Sequence, residues 1–319
     1  MSNQTQKVIW LLYHEPVDLF LRTANAFSKE IKERTNGRVD IEIYTLSEYA
    51  DKFHNGVAID PTALIASGEV QMSQTQVAYL GLWGAEDFYA LELPFLFSTH
   101  EHATRVLEGE IGAELLNSLP ATTPVRGLAF TYSGGFRAMA SRTPITSADS
   151  FKGLEMSVRS NPIFTDTARA FGCETTPAVE HEWDHNQVIR SNTDIIQTTL
   201  PRYVEECDPA VHGYVTNTEH SMYLTSIVIG EKFWNTLSIA DQLAFRESAM
   251  NVARLERTWT VDDSVKIESD LSEQQRIGIR SINRLPAEEI AKLKEAVEPL
   301  YTKYSEIFTP GLVESIRRA

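Results

Sequence analysis

Three consecutive segments open the regular structure of the chain: KVIWLLY (residues 7–13), VDLFLRTANAFSKEIKERTNG (17–37) and RVDIEIYTL (38–46). The first is apolar throughout and predicts a buried strand. The second repeats apolar residues at helical spacing and ends in basic residues and a glycine, so it predicts a helix. The third alternates apolar and polar residues, with Val39 and Ile41 on one face, which is typical of a strand.

The same rhythm continues with a short Pro-initiated helix (61–68) and a strand followed by a loop (70–80). A β-α-β-α-β order predicts a parallel α/β sheet with helices on both faces. Two helices are expected within 90–119 and a strand within 225–238. From Ser238, a predicted N-cap, helical periodicity runs to residue 275 without Gly or Pro, which predicts one very long helix.

The length of 319 residues exceeds what one compact core usually holds, so two lobes are expected. We predict lobe I at 1–129 plus 219–256 and lobe II at 130–218 plus 257–319. Crossover strands join them, and the long helix is expected to span both. The expected fold class is therefore a two-lobed α/β fold, with crossover strands and a long helix spanning both lobes.

Charge and composition restrict the partners. A formal net charge of −15 argues against nucleic acid and against anionic membrane surfaces, and an anionic ligand would need a local positive pocket. No apolar run approaches the ~20 residues that span a bilayer. The polar start of the chain is not a signal peptide, so the protein is either cytosolic or a mature form whose signal has been removed. We expect no cofactor and a monomer.

The two cysteines, Cys173 and Cys207, have no spacing typical of a disulfide framework. A disulfide between them is possible, but two buried thiols are favoured.

The segment YSGGFRAMASRTPITSADSFKGLEMSVRSNP (132–162) carries two arginines that suggest a binding site. Arg137 and Arg159 lie in two β-like segments on either side of an Asp-x-x-Lys-Gly-Leu loop. A guanidinium group can meet a carboxylate through two hydrogen bonds, so two such groups on neighbouring strands would clamp one small anion. The alternative is that both arginines form ordinary ion pairs.

Eight phrases along the chain, in order, resemble the dicarboxylate-binding type of substrate-binding protein from tripartite ATP-independent periplasmic (TRAP) transporters. They are TNGRVDIEIY (35–44), ALIASGEVQM (63–72), ELPFLF (92–97), RVLEGEIGAEL (105–115), GFRAMASRTPITSADSFKGLEM (135–156), FGCETTP (171–177), Glu182 and SIVIGEKFWNTLS (226–238). The resemblance implies a periplasmic protein that closes over a small organic anion, delivers it to a membrane permease and catalyses no reaction. It also favours the mature form without its signal peptide.

The resemblance implies an arginine in the strand after the Lys-Gly-Leu loop, and here the chain departs from the family. Ser157 occupies that position and Arg159 lies two residues further on. Residues two apart in a strand point to the same face, so Arg159 is expected to reach the same cleft. Thr198 and Thr199 stand where the family carries Glu and Asn. We therefore expect a rebuilt anion pocket around Arg137 and Arg159, with hydroxyls from Ser157 and Thr199. The anion would be a carboxylate, with a sulfonate or a zwitterion left open.

Further contacts are expected where strands end, because ligands of such sheets gather beyond the carboxyl ends. An apolar ligand wall from aromatic residues is also expected, although an aromatic is more often part of the core. These additional candidates are Tyr13, Glu15, Gln74, Gln76, Trp183 and Tyr203.

Two alternatives remain at this point. His181-Glu182-Trp183-Asp184-His185 matches the H-E-x-x-H zinc-peptidase pattern, in which two histidines share a helix face and the glutamate activates a metal-bound water. Such a short pattern also arises by chance and no third ligand is obvious, so we expect neither catalytic nor metal-binding residues. An ABC-type solute-binding protein would have similar lobes, without the long helix and the arginine strand.

Overall fold

The computed structural model describes residues 5–12, 18–159, 161–177 and 193–319. The chain divides into two compact units. Unit 1 comprises Met1–Ala85, Val106–Ser133 and Leu224–Trp259, and unit 2 comprises Glu86–Arg105, Gly134–Tyr223 and Thr260–Ala319. Each unit has its own sheet with helices, so the predicted two-lobed α/β fold is confirmed. No helix in the described ranges combines the length and the apolar character that a membrane crossing requires.

The regular elements are numbered in chain order. The strands are β1 (Gln6–Leu12), β2 (Val39–Thr45), β3 (Met72–Gln76), β4 (Val125–Phe136), β5 (Ala138–Ser141), β6 (Glu155–Val158), β7 (Glu174–Pro177), β8 (Ile195–Thr198), β9 (Tyr214–Asn217), β10 (Met222–Gly230) and β11 (Ser281–Arg284). The α-helices are α1 (Asp18–Arg34), α2 (Leu46–His54), α3 (Pro61–Ser67), α4 (Val77–Leu82), α5 (His100–Glu108), α6 (Glu110–Ser118), α7 (Pro162–Ala170), α8 (Tyr203–Glu206), α9 (Glu231–Trp234), α10 (Ile239–Ser269), α11 (Leu271–Arg276), α12 (Ala287–Tyr304) and α13 (Leu312–Arg318). Short 3₁₀ turns occupy Glu86–Glu92, Leu119–Ala121 and Ala148–Phe151.

The sheet of unit 1 has the strand order β2-β1-β3-β10-β4. β1 pairs in parallel with β2 and with β3, as predicted. β10 pairs antiparallel to β3, with Ile227 opposite Gln74, so the prediction of a parallel sheet is wrong for this strand. The chain enters β10 from unit 2 and not from a helix packed on this sheet, so the crossover geometry that produces parallel pairing does not apply.

Aromatic side chains fix the helices of unit 1 on its sheet. Trp10 of β1 packs on Phe27 of α1 with 5.1 Å between ring centroids, and Phe27 packs on Phe245 of α10 at 5.7 Å. All three are fully buried. This core holds α1 and α10 against β1 and β3, and so positions the polar residues that β3 carries.

The sheet of unit 2 has the strand order β11-β9-β5-β8-β6-β7. β5 pairs antiparallel with both β8 and β9, and β6 pairs in parallel with β7 and β8. The prediction that Arg137 and Arg159 lie on neighbouring strands is therefore wrong, because β8 lies between β5 and β6. β8 belongs to a later part of the chain, and local sequence patterns do not show such an insertion.

Helix boundaries follow their caps. The backbone N–H of Asp241 donates to Ser238 Oγ at 3.1 Å, which confirms Ser238 as the cap of α10. α10 has 31 residues and ends at Ser269, earlier than predicted. Asp270 is extended and its carboxylate accepts the N–H groups of Ser272 and Glu273, so it starts α11 as a separate helix. The prediction of a loop after β3 is also wrong, because Val77–Leu82 form the helix α4.

Both cysteines are free thiols in the structure, and both are buried. Cys207 packs in the core of unit 2 with Ile196 and Tyr203. The prediction of two buried thiols is confirmed.

Candidate ligand-binding site

Arg137 is a buried cation in unit 2. It lies at the single position between β4 and β5, and only 1% of its surface is exposed. Its backbone is held on both sides, because its N–H donates to the carbonyl of Ser221 at 2.8 Å and its carbonyl accepts the N–H of Glu219 at 3.2 Å. The side chain therefore projects from a fixed point of the backbone.

The Arg137 guanidinium is surrounded by aromatic faces. Its Cζ lies 4.4 Å from the ring centroid of Tyr223 and 4.8 Å from that of Phe164. The Oε2 atom of Glu92, itself buried, lies 3.8 Å from Nη2, beyond hydrogen-bond distance. Nε and Nη2 have no hydrogen-bond partner within the described part of the chain. These two donors are available to a small acceptor.

Arg159 follows β6 directly, and its side chain is 16% exposed. Its Nη2 donates to Oε1 of Glu206 at 3.0 Å. Arg159 therefore remains partly accessible to solvent. The Glu206 carboxylate that it contacts also binds a second arginine.

That second arginine, Arg202, is fully buried next to Glu206. Its Nε and Nη2 donate to Glu206 Oε1 at 2.8 and 2.6 Å, and its Cζ lies 4.4 Å from the Tyr223 ring centroid. Thr198 Oγ1 donates to the other carboxylate oxygen of Glu206 at 2.6 Å. We call Arg137, Arg159, Arg202, Glu92 and Glu206 the arginine cluster.

Burial and neighbouring charges shift the pKa values of residues in the arginine cluster. Burial lowers the pKa of Arg137, and the neighbouring Glu92 opposes that effect. Burial alone would raise the pKa of Glu206, but the charges of Arg202 and Arg159 outweigh it and lower the pKa to about 2. Glu206 is therefore a carboxylate at neutral pH, and guanidinium groups keep their proton in proteins.

The two predicted hydroxyl groups, those of Ser157 and Thr199, lie close in sequence to residues of the arginine cluster. Ser157 is buried on β6, paired with Ile196 of β8. Thr199 is fully buried, and a Cβ atom built on Gly134 would lie 1.8 Å from its Oγ1. Thr198, one residue before the predicted Thr199, donates its hydroxyl to Glu206 of the cluster.

The two predicted glutamines lie in unit 1, on β3. Gln74 is committed to neighbours, because its Nε2 donates to both oxygens of Glu256 and to Thr225 Oγ1, all at 2.9 Å. Gln76 is 1% exposed, and neither its Nε2 nor its Oε1 has a hydrogen-bond partner among the residues described. Both amide atoms of Gln76 can therefore serve a ligand, whereas in Gln74 only Oε1 lacks a hydrogen-bond partner among the described residues.

Tyr203 packs in the core of unit 2, and its hydroxyl donates to the carbonyl of His212 at 3.0 Å. These contacts favour a structural role over a ligand wall. The other candidates, Tyr13, Glu15 and Trp183, lie outside the described residues, and so does the segment His181–His185.

Sequence reasoning missed Arg202, Glu206, Glu92 and Tyr223. One signal was present, since Arg202 and Glu206 are four residues apart, the spacing of a helical ion pair. A second signal was Glu92, a lone acidic residue at the start of an apolar run. The contact of Arg159 with Glu206 joins residues far apart in the chain and has no local signal.

A protein-family model described as "Bacterial extracellular solute-binding protein, family 7" (DctP) matches residues 13–181 and 209–307. The C4-dicarboxylate-binding periplasmic protein DctP of Rhodobacter capsulatus is 27% identical over 300 residues, covering 93% of this chain and 85% of that protein. The C4-dicarboxylate-binding protein DctB of Bacillus subtilis (strain 168) is 22% identical over 295 residues, covering 92% of this chain and 80% of DctB.

Solved structures share the fold. A TRAP periplasmic solute-binding protein from Polaromonas sp. JS666, bound to D-erythronate, superimposes with a TM-score of 0.83 at 22% identity, covering 98% of both chains. One from Pseudomonas putida F1 with bound D-glucuronate has a TM-score of 0.81 at 19% identity, covering 98% of this chain and 97% of the other.

Proposed function

This chain belongs to family 7 of the bacterial extracellular solute-binding proteins, and from that premise we propose that its arginine cluster takes the carboxylate of a small organic anion. The predicted family, its periplasmic location and the absence of catalysis are confirmed by that membership. The ABC-type and zinc-hydrolase alternatives are not retained. The bound anion is delivered to the membrane subunits of a TRAP permease.

The relatives support an organic acid as the solute. Those named above bind C4-dicarboxylates, D-erythronate or D-glucuronate, and each of these ligands carries at least one carboxylate. The identity to the solved structures is low, so the choice among such acids must come from this chain's own residues.

The observation that carries the proposal is the state of Arg137. Leaving a buried cation with unused donors is costly, unless a negatively charged partner completes its hydrogen bonds. Nε and Nη2 present two donors side by side, the arrangement that a carboxylate meets with both oxygens. We propose that Arg137 holds the carboxylate. Arg159, Ser157 and Thr199, which lie in the same unit as Arg137, are proposed as further contacts.

Calorimetric titration of the purified, ligand-free protein with a panel of organic acids tests this proposal. At least one acid should bind with one site per chain, and Arg137→Gln should weaken it by at least ~30-fold, since losing one partner of a buried charge pair costs about 2–5 kcal/mol. Arg137→Lys keeps the charge but loses the two-pronged geometry, so it should weaken binding by about tenfold.

Arg126→Gln is the matched control. Arg126 makes a two-pronged ion pair with Glu231 in unit 1, at 2.9 and 2.8 Å, outside the arginine cluster. Its loss should leave the affinity for the acid unchanged. Equal affinity of the wild type and of folded Arg137→Gln for every acid that binds would refute the assignment.

A further inference from the structure

Tyr223 is a buried tyrosine whose hydroxyl group has no partner within the described part of the chain. The side chain lies near the start of β10, in unit 2, and is fully buried. Its Oη atom forms no hydrogen bond with any described residue. Burying a hydroxyl group without a partner is unfavourable, and the large majority of buried polar groups are bonded to protein or to water. The Tyr223 hydroxyl therefore needs a partner that the described residues do not supply.

The ring of Tyr223 packs against the arginine cluster. Its centroid lies 4.4 Å from the Cζ atom of Arg137 and 4.4 Å from that of Arg202. At this distance a guanidinium group is attracted to an aromatic ring, so the two contacts hold the ring beside Arg137. Because the same ring carries the hydroxyl, Oη lies within the span of one small acid molecule from the Arg137 guanidinium.

Arg137 and Tyr223 together offer three hydrogen-bond donors to one anion. Arg137 Nε and Nη2 have no hydrogen-bond partner among the described residues, and neither has Tyr223 Oη. An ionised carboxyl group has two oxygens with about four lone-pair positions, so it can accept all three bonds at once. The positive charges of the two neighbouring guanidinium groups also favour an anion next to this hydroxyl.

We propose that Tyr223 is a ligand-binding residue and that its hydroxyl donates to the same ligand carboxylate that Arg137 holds. This inference rests on the proposed function and names a second residue at the carboxylate. No sequence pattern pointed to Tyr223, because an aromatic residue in an apolar strand is usually part of the core. In a buried site each hydrogen bond to the anion is stronger than it would be in water, so one hydroxyl contributes substantially to affinity.

Tyr223→Phe keeps the ring against both arginines and removes only the hydroxyl. Calorimetric titration of the full chain, freed of ligand, with D-erythronate, D-glucuronate, succinate and butyrate measures the effect. For each acid that binds the wild type, the variant should bind about 10- to 100-fold more weakly, as expected for the loss of a hydrogen bond to a charged group. The loss should be similar from acid to acid, because the carboxylate is the group that they share.

The melting temperature of the ligand-free protein distinguishes a ligand contact from a structural one. Removing a buried hydroxyl that bonds to no protein group should leave the melting temperature of Tyr223→Phe unchanged or raise it. Tyr203→Phe is the matched control, since Tyr203 is equally buried in unit 2 but its hydroxyl donates to the carbonyl of His212 at 3.0 Å. That variant should melt a few degrees lower and bind each acid as the wild type does.

The possible results keep this inference apart from the proposed function. Wild-type affinity in folded Tyr223→Phe, with binding weakened in Arg137→Gln, would overturn the role of Tyr223 alone. A melting temperature that falls as it does in Tyr203→Phe would assign the hydroxyl to a protein partner and overturn the inference. A loss of affinity confined to acids that carry a hydroxyl group would overturn the carboxylate as its acceptor. If no acid binds the wild type or raises its melting temperature, the proposed function and this inference fail together.

Discussion

Glu256→Gln should remove a strong pH dependence from the stability of this protein. Glu256 lies on α10 and is fully buried in unit 1. Its Oε2 lies 2.9 Å from Thr23 Oγ1, which also lies 2.9 Å from the carbonyl oxygen of Leu19. A hydroxyl has one hydrogen and cannot donate to both. A protonated Glu256 that donates to Thr23 leaves Thr23 free to donate to Leu19, so the geometry favours the neutral acid.

The size of the effect follows from the pKa of Glu256. Burial raises it from 4.5 to about 8, against the opposing hydrogen bonds of Gln74 and Thr23 and the charge of Arg22. Between these two pH values the native protein binds a proton that the unfolded chain has released, so the free energy of unfolding falls as pH rises. The stabilisation is complete below pH 4.5 and lost above about pH 8, a difference of roughly 5 kcal/mol.

Urea unfolding at a series of pH values from about 5 to 9 measures this slope. The wild type should lose several kcal/mol of unfolding free energy across the series, and Glu256→Gln should lose much less. Glu247→Gln, on the same helix but half-exposed and paired with Arg34, is the matched control and should keep the wild-type slope. Parallel pH profiles for the wild type and Glu256→Gln would refute the reasoning.

Two further predictions concern packing and thiol chemistry. Gly134→Ala should reduce the unfolding free energy by about 2–4 kcal/mol, because Gly134 has φ +99° and a Cβ would lie 1.8 Å from Thr199 Oγ1. Gly68→Ala, at φ +89° with no atom near its Cβ, should cost only about 1 kcal/mol, and equal losses would contradict the packing argument. Burial raises the pKa of Cys173 to about 12 and also raises the pKa of Cys207, so Ellman's reagent should react with both thiols only after unfolding. Rapid reaction of the native protein, or no thiols after unfolding, would contradict this.

Elements with strong local patterns were predictable from the sequence. Val39 and Ile41 alternate with polar residues on β2 and are buried as expected. Ser238 begins α10 as its cap, and Pro61 begins α3. Each of these signals depends on neighbours within one or two turns, which is the range over which sequence patterns act.

Features that depend on distant parts of the chain were not predictable. β8 inserts between β5 and β6, and β10 adds antiparallel to β3, because tertiary packing and not local propensity chooses strand partners. In the site, Arg137 and Arg159 were found because guanidinium groups in apolar strands are unusual. The proximity of Glu92 to Arg137 and of Glu206 to Arg159 could not be predicted from the sequence, since it arises only when separate segments fold together.

A crystal structure with the tightest-binding acid of the calorimetric panel tests the central claim most directly. The account predicts a ligand carboxylate within about 3 Å of Arg137 Nε or Nη2, where no described residue donates or accepts. A bound acid whose carboxylate contacts neither nitrogen, with Arg137 unchanged between its aromatic neighbours, would contradict it.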